Sequence, residues 1–269
     1  MSIPRVLTIA GSAAQGSAGI QADLKTFEEL DVYGMSVITA IVANNSTTEK
    51  GIFTNSLEAI EAQFYASFEH VGIDALKTGM LFTKDIIERT AELIKQADVP
   101  HVVVDPVMIG KMGSQLLKDD AIDTLVDTLF PLSTVITPNL HEAIRLTGKT
   151  KIETVEDMKE AARELYKLGP AYILIKGGTL HEGAVDVLYD GKDYKEFRTE
   201  RIDTIHTSGA GCSYSAAIAS GLAKGKSMTD AVYEAKDFVT CGIKHALSFN
   251  RGIGSTYHGA WRTCGGRNP

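Results

Sequence analysis

The sequence predicts an α/β fold: an open, mostly parallel sheet with helices on both faces and antiparallel strands near one edge. Two observations carry this. Short apolar runs rich in β-branched residues alternate with longer runs of helical period along most of the chain. Polar side chains recur where those apolar runs end, at Asn44, Lys77, Asp105, Asn139 and Lys176. Open α/β sheets bind ligands beyond the carboxyl ends of their strands. At 269 residues, with no internal repeat or low-complexity linker, the expectation is one domain over 1–269 whose polar tail frays from about Gly265.

The run 6–10 reads as the first buried strand. The loop from Gly11 to Gly19 follows it and leads into a helix over 20–30. The loop is neither a Gly-x-Gly-x-x-Gly fingerprint nor a Walker loop. Its small residues let a flat ligand approach the backbone, or simply make a turn. Asp23 and Lys25 sit one turn into the helix, at a site or on a solvated face. A second strand over 36–43 ends in a polar cluster opened by Asn44. That amide offers one acceptor and two donors, enough for a ring nitrogen and an amino group, or it caps a turn.

The spacing of Ile60, Phe64 and Phe68 predicts a helix over 57–70. A strand over 75–80, a helix over 84–96 and a strand over 101–107 come next. Asp105 at the end of that strand suits Mg²⁺ or a phosphate-side acid, or a turn before proline. The segment 108–117, with Gly110, Lys111 and Gly113, reads as a lid carrying one cation or as a solvated loop. After a strand over 134–137, Asn139 and Glu142 stand three apart at a helix start. They fit a Mg²⁺–triphosphate shell or a helix cap. A strand over 171–178 ends in glycine beside Lys176, and 185–197 reads as a hairpin turning at Asp190-Gly191. A further helix spans about 229–245.

The stretch Thr207-Ser208-Gly209-Ala210-Gly211-Cys212-Ser213 opens a small, apolar run that reads as a buried helix. Glycines at a helix mouth let four unpaired N–H groups meet a phosphate oxygen. Cys212 falls in the first turn, where a thiol pKa is lowered. The alternative is a glycine-rich turn before a packed helix, with Cys212 as a small core residue.

A net charge of -7 offers no basic stripe for nucleic acid. No apolar run is long enough to span a bilayer, and the N-terminus has no signal-peptide pattern. Cys212, Cys241 and Cys264 form no Cys-x-x-Cys pair, which argues against a zinc site or disulfide framework and fits a reducing cytoplasm.

Seven motifs, in order, resemble the ribokinase-like superfamily, in its branch of hydroxymethylpyrimidine/phosphomethylpyrimidine kinases and the similar bacterial pyridoxal kinases. They are Leu7-Thr8-Ile9-Ala10-Gly11-Ser12, Ala18-Gly19-Ile20-Gln21-Ala22-Asp23-Leu24-Lys25-Thr26, Lys77-Thr78-Gly79-Met80-Leu81, Asp105-Pro106-Val107-Met108, Thr137-Pro138-Asn139-Leu140-His141-Glu142-Ala143, Lys176-Gly177-Gly178 and Gly209-Ala210-Gly211-Cys212. The resemblance implies a three-layer α/β/α sandwich, MgATP as phosphoryl donor and a homodimer. It implies that Gly209, Ala210, Gly211 and Cys212 form an anion hole, with Cys212 as base where most superfamily members carry aspartate. Lys111 would swing over on the lid, and Asp105 and Glu142 would organise Mg²⁺. Asn139, Lys176, Gly178 and Thr207 would lie along ATP. Gly11, Ala18, Asp23, Asn44, Met80 and Val107 would line the ring pocket.

Ring choice divides two readings. The regions 184–191 and 202–212 look more like the pyridoxal kinases. The pocket looks more like the pyrimidine kinases: Gly110 stands where the pyridoxal kinases carry a lid cysteine, the segment after the second strand is short, and Asn44 stands where the pyrimidine kinases place glutamine. Specificity lives in the site, so pyrimidine leads. Ala13, Ser17 and Ser208 depart from the aspartate, glycine and histidine of both groups. These departures motivate a further alternative, a non-catalytic vitamin sensor.

Overall fold

The computed structural model of the chain describes residues 3–108, 117–180 and 183–265. The strands β1 (Arg5–Ala13), β2 (Tyr33–Val42), β4 (Ala75–Thr78), β5 (Val102–Val104), β6 (Val135–Ile136) and β7 (Tyr172–Gly177) pair in parallel. β3 (Ile52–Thr54) runs antiparallel to β2, and β8 (Ala184–Tyr189) and β9 (Tyr194–Thr199) turn back beyond β7. The sheet order is β3-β2-β1-β4-β5-β6-β7-β8-β9. Antiparallel strands therefore close both edges, where the sequence predicts them near one. Ile52–Thr54 is too short a run to register as a period.

The strands alternate between two apolar layers. Leu7, Ile9, Val102, Val104, Ile173 and Ile175 pack on one face with α2 (Leu57–His70), α3 (Lys84–Ala97), α4 (Asp119–Thr128), α5 (Leu140–Thr147) and α6 (Val155–Tyr166). Val6, Val103, Val135 and Leu174 pack on the other with α1 (Ile20–Glu29), α7 (Ala210–Ala223), α8 (Met228–Lys244) and the short α9 (Ala260–Thr263). Central strands buried on both faces are why these runs read as continuously apolar. The sequence reading names no helix at α4 or α6. In α6 the signal was present: Thr154 and Asp157 make a capping box ahead of Met158, Ala161, Ala162 and Leu165.

Two features of the sheet position the site. β1 has β2 on one side and β4 on the other, so the connections diverge there and leave a crevice at the strands' carboxyl ends. The β1–β2 register also shifts between Ala10 and Ser12, which makes Gly11 a bulge at the mouth of that crevice.

Candidate active site

Gly209 caps α7 at φ 84° and ψ -7°, in the left-handed region that favours glycine. A Cβ there would overlap the Ser17 carbonyl oxygen. The Ala210 N–H donates to Thr207 O at 3.2 Å, and the Ser213 N–H to Gly209 O at 2.8 Å. The Gly211 and Cys212 amides remain at the mouth, with no intrahelical acceptor by their place in the first turn. Such donors face an incoming anion with the positive end of the helix behind them.

Cys212 is half-buried. The Gly19 N–H donates to its Sγ at 3.4 Å, joining residues 193 apart in the chain. Burial pushes the thiol above its usual range; Lys77 opposes that, while Asp23 and Asp105 reinforce it. This reverses the lowered thiol expected from the helix start, because removal from water outweighs the favourable groups.

Asp23 lies on no solvated face. It is 0% exposed, and Lys77 Nζ reaches its two oxygens at 2.9 and 2.8 Å. Thr8 Oγ1 donates to Asp23 Oδ2 at 2.7 Å. Burial raises the Asp23 carboxyl despite Lys77 and Thr8. Sequence reasoning marked Lys77 as a polar strand end but gave it no partner. A lysine inside a buried strand run is the signal that a carboxylate must meet it.

A second polar group lies past β5. Asp105 Oδ1 accepts from Lys176 Nζ at 2.9 Å and from Thr137 Oγ1 at 3.2 Å, and its Oδ2 accepts from Ser215 Oγ at 3.3 Å. Asn139 and Glu142 form the capping box of α5. The Glu142 N–H donates to Asn139 Oδ1 at 3.0 Å, and the Asn139 N–H to Glu142 Oε2 at 2.8 Å. Glu142 Oε1 accepts from the Met108 N–H at 3.4 Å. Burial raises Glu142 to about 7 against the pull of Lys176, with Asp105 adding to the rise. Lys176 Nζ also stands 3.6 Å from where a Cβ on Gly211 would lie, so it links this group to the α7 turn. Thr137, Ser215 and Met108 are partners that the sequence reading did not name.

The loop after β1 closes the other side. A Cβ on Gly19 would overlap Gly11 O, and one on Gly11 would meet Met80 Cε at 2.5 Å. Gln21 ties the loop by accepting from the Ala13 N–H at 2.8 Å and donating to Ser12 Oγ at 2.7 Å. Thr39 Oγ1 donates to Met80 O at 2.8 Å. Ala18 and Val107 are partly buried beside Gly19 and two residues past Asp105. Thr207 is partly buried and its N–H donates to Ile205 O at 3.0 Å. Met80, Gly11, Gly19 and Cys212 thus meet on one side, and Gly211, Lys176, Asp105, Glu142 and Asn139 on the other. Asn44 is exposed against Gly51, and Gly178 is exposed with open space around it. Lys111, with Gly110 and Gly113, lies outside the described residues, as does the tail beyond Gly265.

The chain matches a family described as phosphomethylpyrimidine kinase over residues 14–257. The chain belongs to that family. It is 48% identical over 267 residues to a pyridoxine kinase of Bacillus subtilis, covering 97% of this chain and 98% of the relative. It is 44% identical over 256 residues to a hydroxymethylpyrimidine/phosphomethylpyrimidine kinase of Streptomyces coelicolor, covering 95% and 94%. Among solved structures, the ADP complex of Bacillus subtilis pyridoxal kinase superposes with a TM-score of 0.91 at 47% identity, covering 97% of this chain and 99% of that one. This kinase accordingly has the ribokinase-like fold that the seven motifs imply. No helix among its described residues is long and apolar enough to cross a membrane. Among those residues no three His, Cys, Asp or Glu side chains make a metal cage. Asp105 and Glu142 are a pair of carboxylates. Such a pair fits Mg²⁺, which binds through one or two carboxylates together with phosphate oxygens and water.

Proposed function

We propose that this kinase transfers the γ-phosphoryl group of ATP to the hydroxymethyl group of 4-amino-5-hydroxymethyl-2-methylpyrimidine in thiamine biosynthesis, with its monophosphate the other candidate acceptor. The observation that carries the reading is the α7 turn. Its Gly211 and Cys212 amides open the helix beside the Cys212 sulfur, which Gly19 of the loop after β1 holds, and beside Lys176, which Asp105 holds. Phosphoryl transfer needs in-line positioning and charge neutralisation more than covalent help from the protein.

In this reading the Gly211 and Cys212 amides hold the transferring phosphoryl group, and Cys212 takes the hydroxyl proton. Lys176 and Asn139 lie along the nucleotide, with Gly178 and Thr207 at its margins. Asp105 and Glu142 would hold Mg²⁺, which neutralises phosphate charge when bound. Lys111 supplies a further cation from the lid. Gly11, Ala18, Asn44, Met80 and Val107 surround the ring, Asn44 serving where related pyrimidine kinases use glutamine. Exposed Ile41 and Phe53, cross-strand partners at the β2–β3 edge, support a homodimer. The free cysteines support a reducing, cytoplasmic setting.

A second reading, phosphorylation of pyridoxine or pyridoxal, is favoured by the 48% identity to the Bacillus pyridoxine kinase. One assay separates the two: ADP production with hydroxymethylpyrimidine, its monophosphate, pyridoxine and pyridoxal side by side, compared as kcat/KM. The pyrimidines are expected to lead. A lead for pyridoxine or pyridoxal overturns the first reading in favour of the second. Binding without turnover of any of the four overturns both in favour of a sensor.

A further inference from the structure

Four charged groups act electrostatically on the Cys212 thiol: Lys77 on β4, Asp23 on α1, Asp105 beyond β5 and Lys176 on β7. Lys77 differs from Lys176 in its surroundings. It is 0% exposed, on a strand buried between two helical layers, and its ion-pair partner Asp23 is equally buried. An apolar residue would fill that strand position without the desolvation that a buried ion pair carries. The location says what the charge does there. The Asp23 N–H donates to Gly19 O at 3.0 Å, and the Gly19 N–H is the one on the Cys212 sulfur. Lys77 Nζ lies 3.1 Å from where a Cβ on Gly79 would stand, next to Met80. α7, which carries Cys212, packs on β4, β1 and α1. Asp23 thus holds the ammonium and also bonds Gly19, whose N–H holds the thiol.

We propose that Lys77, locked by Asp23, is a positioning residue for Cys212, its ammonium favouring the thiolate form in which the sulfur accepts the substrate proton. The inference rests on the reading of Cys212 as the base. In that step the substrate oxygen bonds to the γ-phosphorus, and the bond from that phosphorus to the ADP oxygen breaks. The hydroxyl proton moves to the sulfur, and ADP leaves with the bonding pair. After burial, Lys77 has the largest influence on the thiol, and it acts to favour the thiolate. Asp23 acts with the opposite sign. The pair therefore acts on the thiol as two opposed charges, beneath the larger effect of burial.

The opposed signs supply the test. With Cys241→Ser and Cys264→Ser in place, Cys212 is the only thiol in the chain. Its alkylation by iodoacetamide is followed against pH. Lys77→Met is expected to move the midpoint up by about one pH unit or more, as loss of a neighbouring opposite charge does. Asp23→Asn is expected to move it down. No movement, or movement of both in the same sense, overturns the proposal, since a merely structural disturbance has no reason to change sign. Should Lys77→Met fail to fold, the double substitution Asp23→Asn/Lys77→Met leaves that position without charge. Its midpoint is expected above that of the parent, and a midpoint at or below it overturns the proposal. The readout needs no turnover. Failure to phosphorylate any of the four ring compounds would therefore defeat the kinase-substrate reading and leave this result to stand or fall separately.

Discussion

Ser208 donates a hydrogen bond to Ser17 at 3.0 Å, across 191 residues of chain. These are two of the three positions at which the sequence departs from the motifs it otherwise resembles, and the departures meet in space. The bond clasps the loop after β1 to the turn that starts α7. The same Ser17 turns its carbonyl oxygen toward Gly209.

The clasp is expected to couple energetically. Ser17→Ala and Ser208→Ala should each lower the Tm, and their double-mutant cycle should give a coupling of about 0.5–1.5 kcal/mol. Thermal unfolding of the four proteins measures it. Strict additivity would show that the two hydroxyls do not act on each other.

Gly209→Ala should lose most activity and about 1–3 kcal/mol of stability. Its φ of 84° strains any side chain, and the added methyl overlaps Ser17 O. Denaturant melts and turnover on the same preparation test this. Normal turnover would mean that the turn relaxes without displacing its amides.

Cys212→Ala should reduce kcat by about 10²–10⁴-fold, the usual worth of a positioned proton acceptor, with the fold intact. Circular dichroism and steady-state kinetics together decide it. A variant with undiminished kcat removes the thiol from the mechanism.

Asp105→Asn removes the charge that anchors Lys176 Nζ. The KM for ATP should rise about tenfold or more, consistent with loss of a charge-assisted contact, and added Mg²⁺ should recover part of it. A KM that ignores both the substitution and the Mg²⁺ concentration would separate Asp105 from the nucleotide.

His258 gives the pH dependence. Ser213 Oγ donates to Gly209 O at 2.8 Å, so its one proton is spent. At 2.8 Å from His258 Nε2, the hydroxyl then accepts from a neutral imidazole protonated at Nε2. Burial, helped by Lys25, pushes His258 down from 6.5 to about 4. Between those values the unfolded chain binds the proton and the folded one does not, so this stability is whole above pH 6.5 and is lost as pH falls toward 4. The amount is on the order of 3 kcal/mol. His258→Gln should flatten the Tm profile over that window, and an unchanged slope would assign the acid sensitivity to other groups.

Much of the site was legible because its signals are local. The α7 turn shows as two glycines before a small apolar run. Asp105 shows as a carboxylate closing a valine run, and Asn139 with Glu142 as a spacing of three. What was not legible is pairing. Lys77 and Asp23 are 54 residues apart, and nothing in either segment names the other. The Ser17–Ser208 clasp is hidden for the same reason. The acid strength of Cys212 was misread because a helix start is visible in sequence, whereas the burial that overrides it is not. Asn139 and Glu142 met the cap expectation, since their side chains close the capping box of α5.

Among the described residues, the nine strands end by Thr199, before α7 and α8 begin. A chain emerging from the ribosome through Thr199 therefore holds the nine described strands and helices α2 to α6 of one face. Val103, Val135 and Leu174 on the other face are still waiting for the helices that cover them. At that stage the nascent protein offers chaperones an apolar surface and lacks the α7 turn. Shielding of that surface and competence for phosphoryl transfer arrive in the same stretch of translation. A stall that releases the chain before α7 yields an inert and adhesive fragment rather than a slow enzyme.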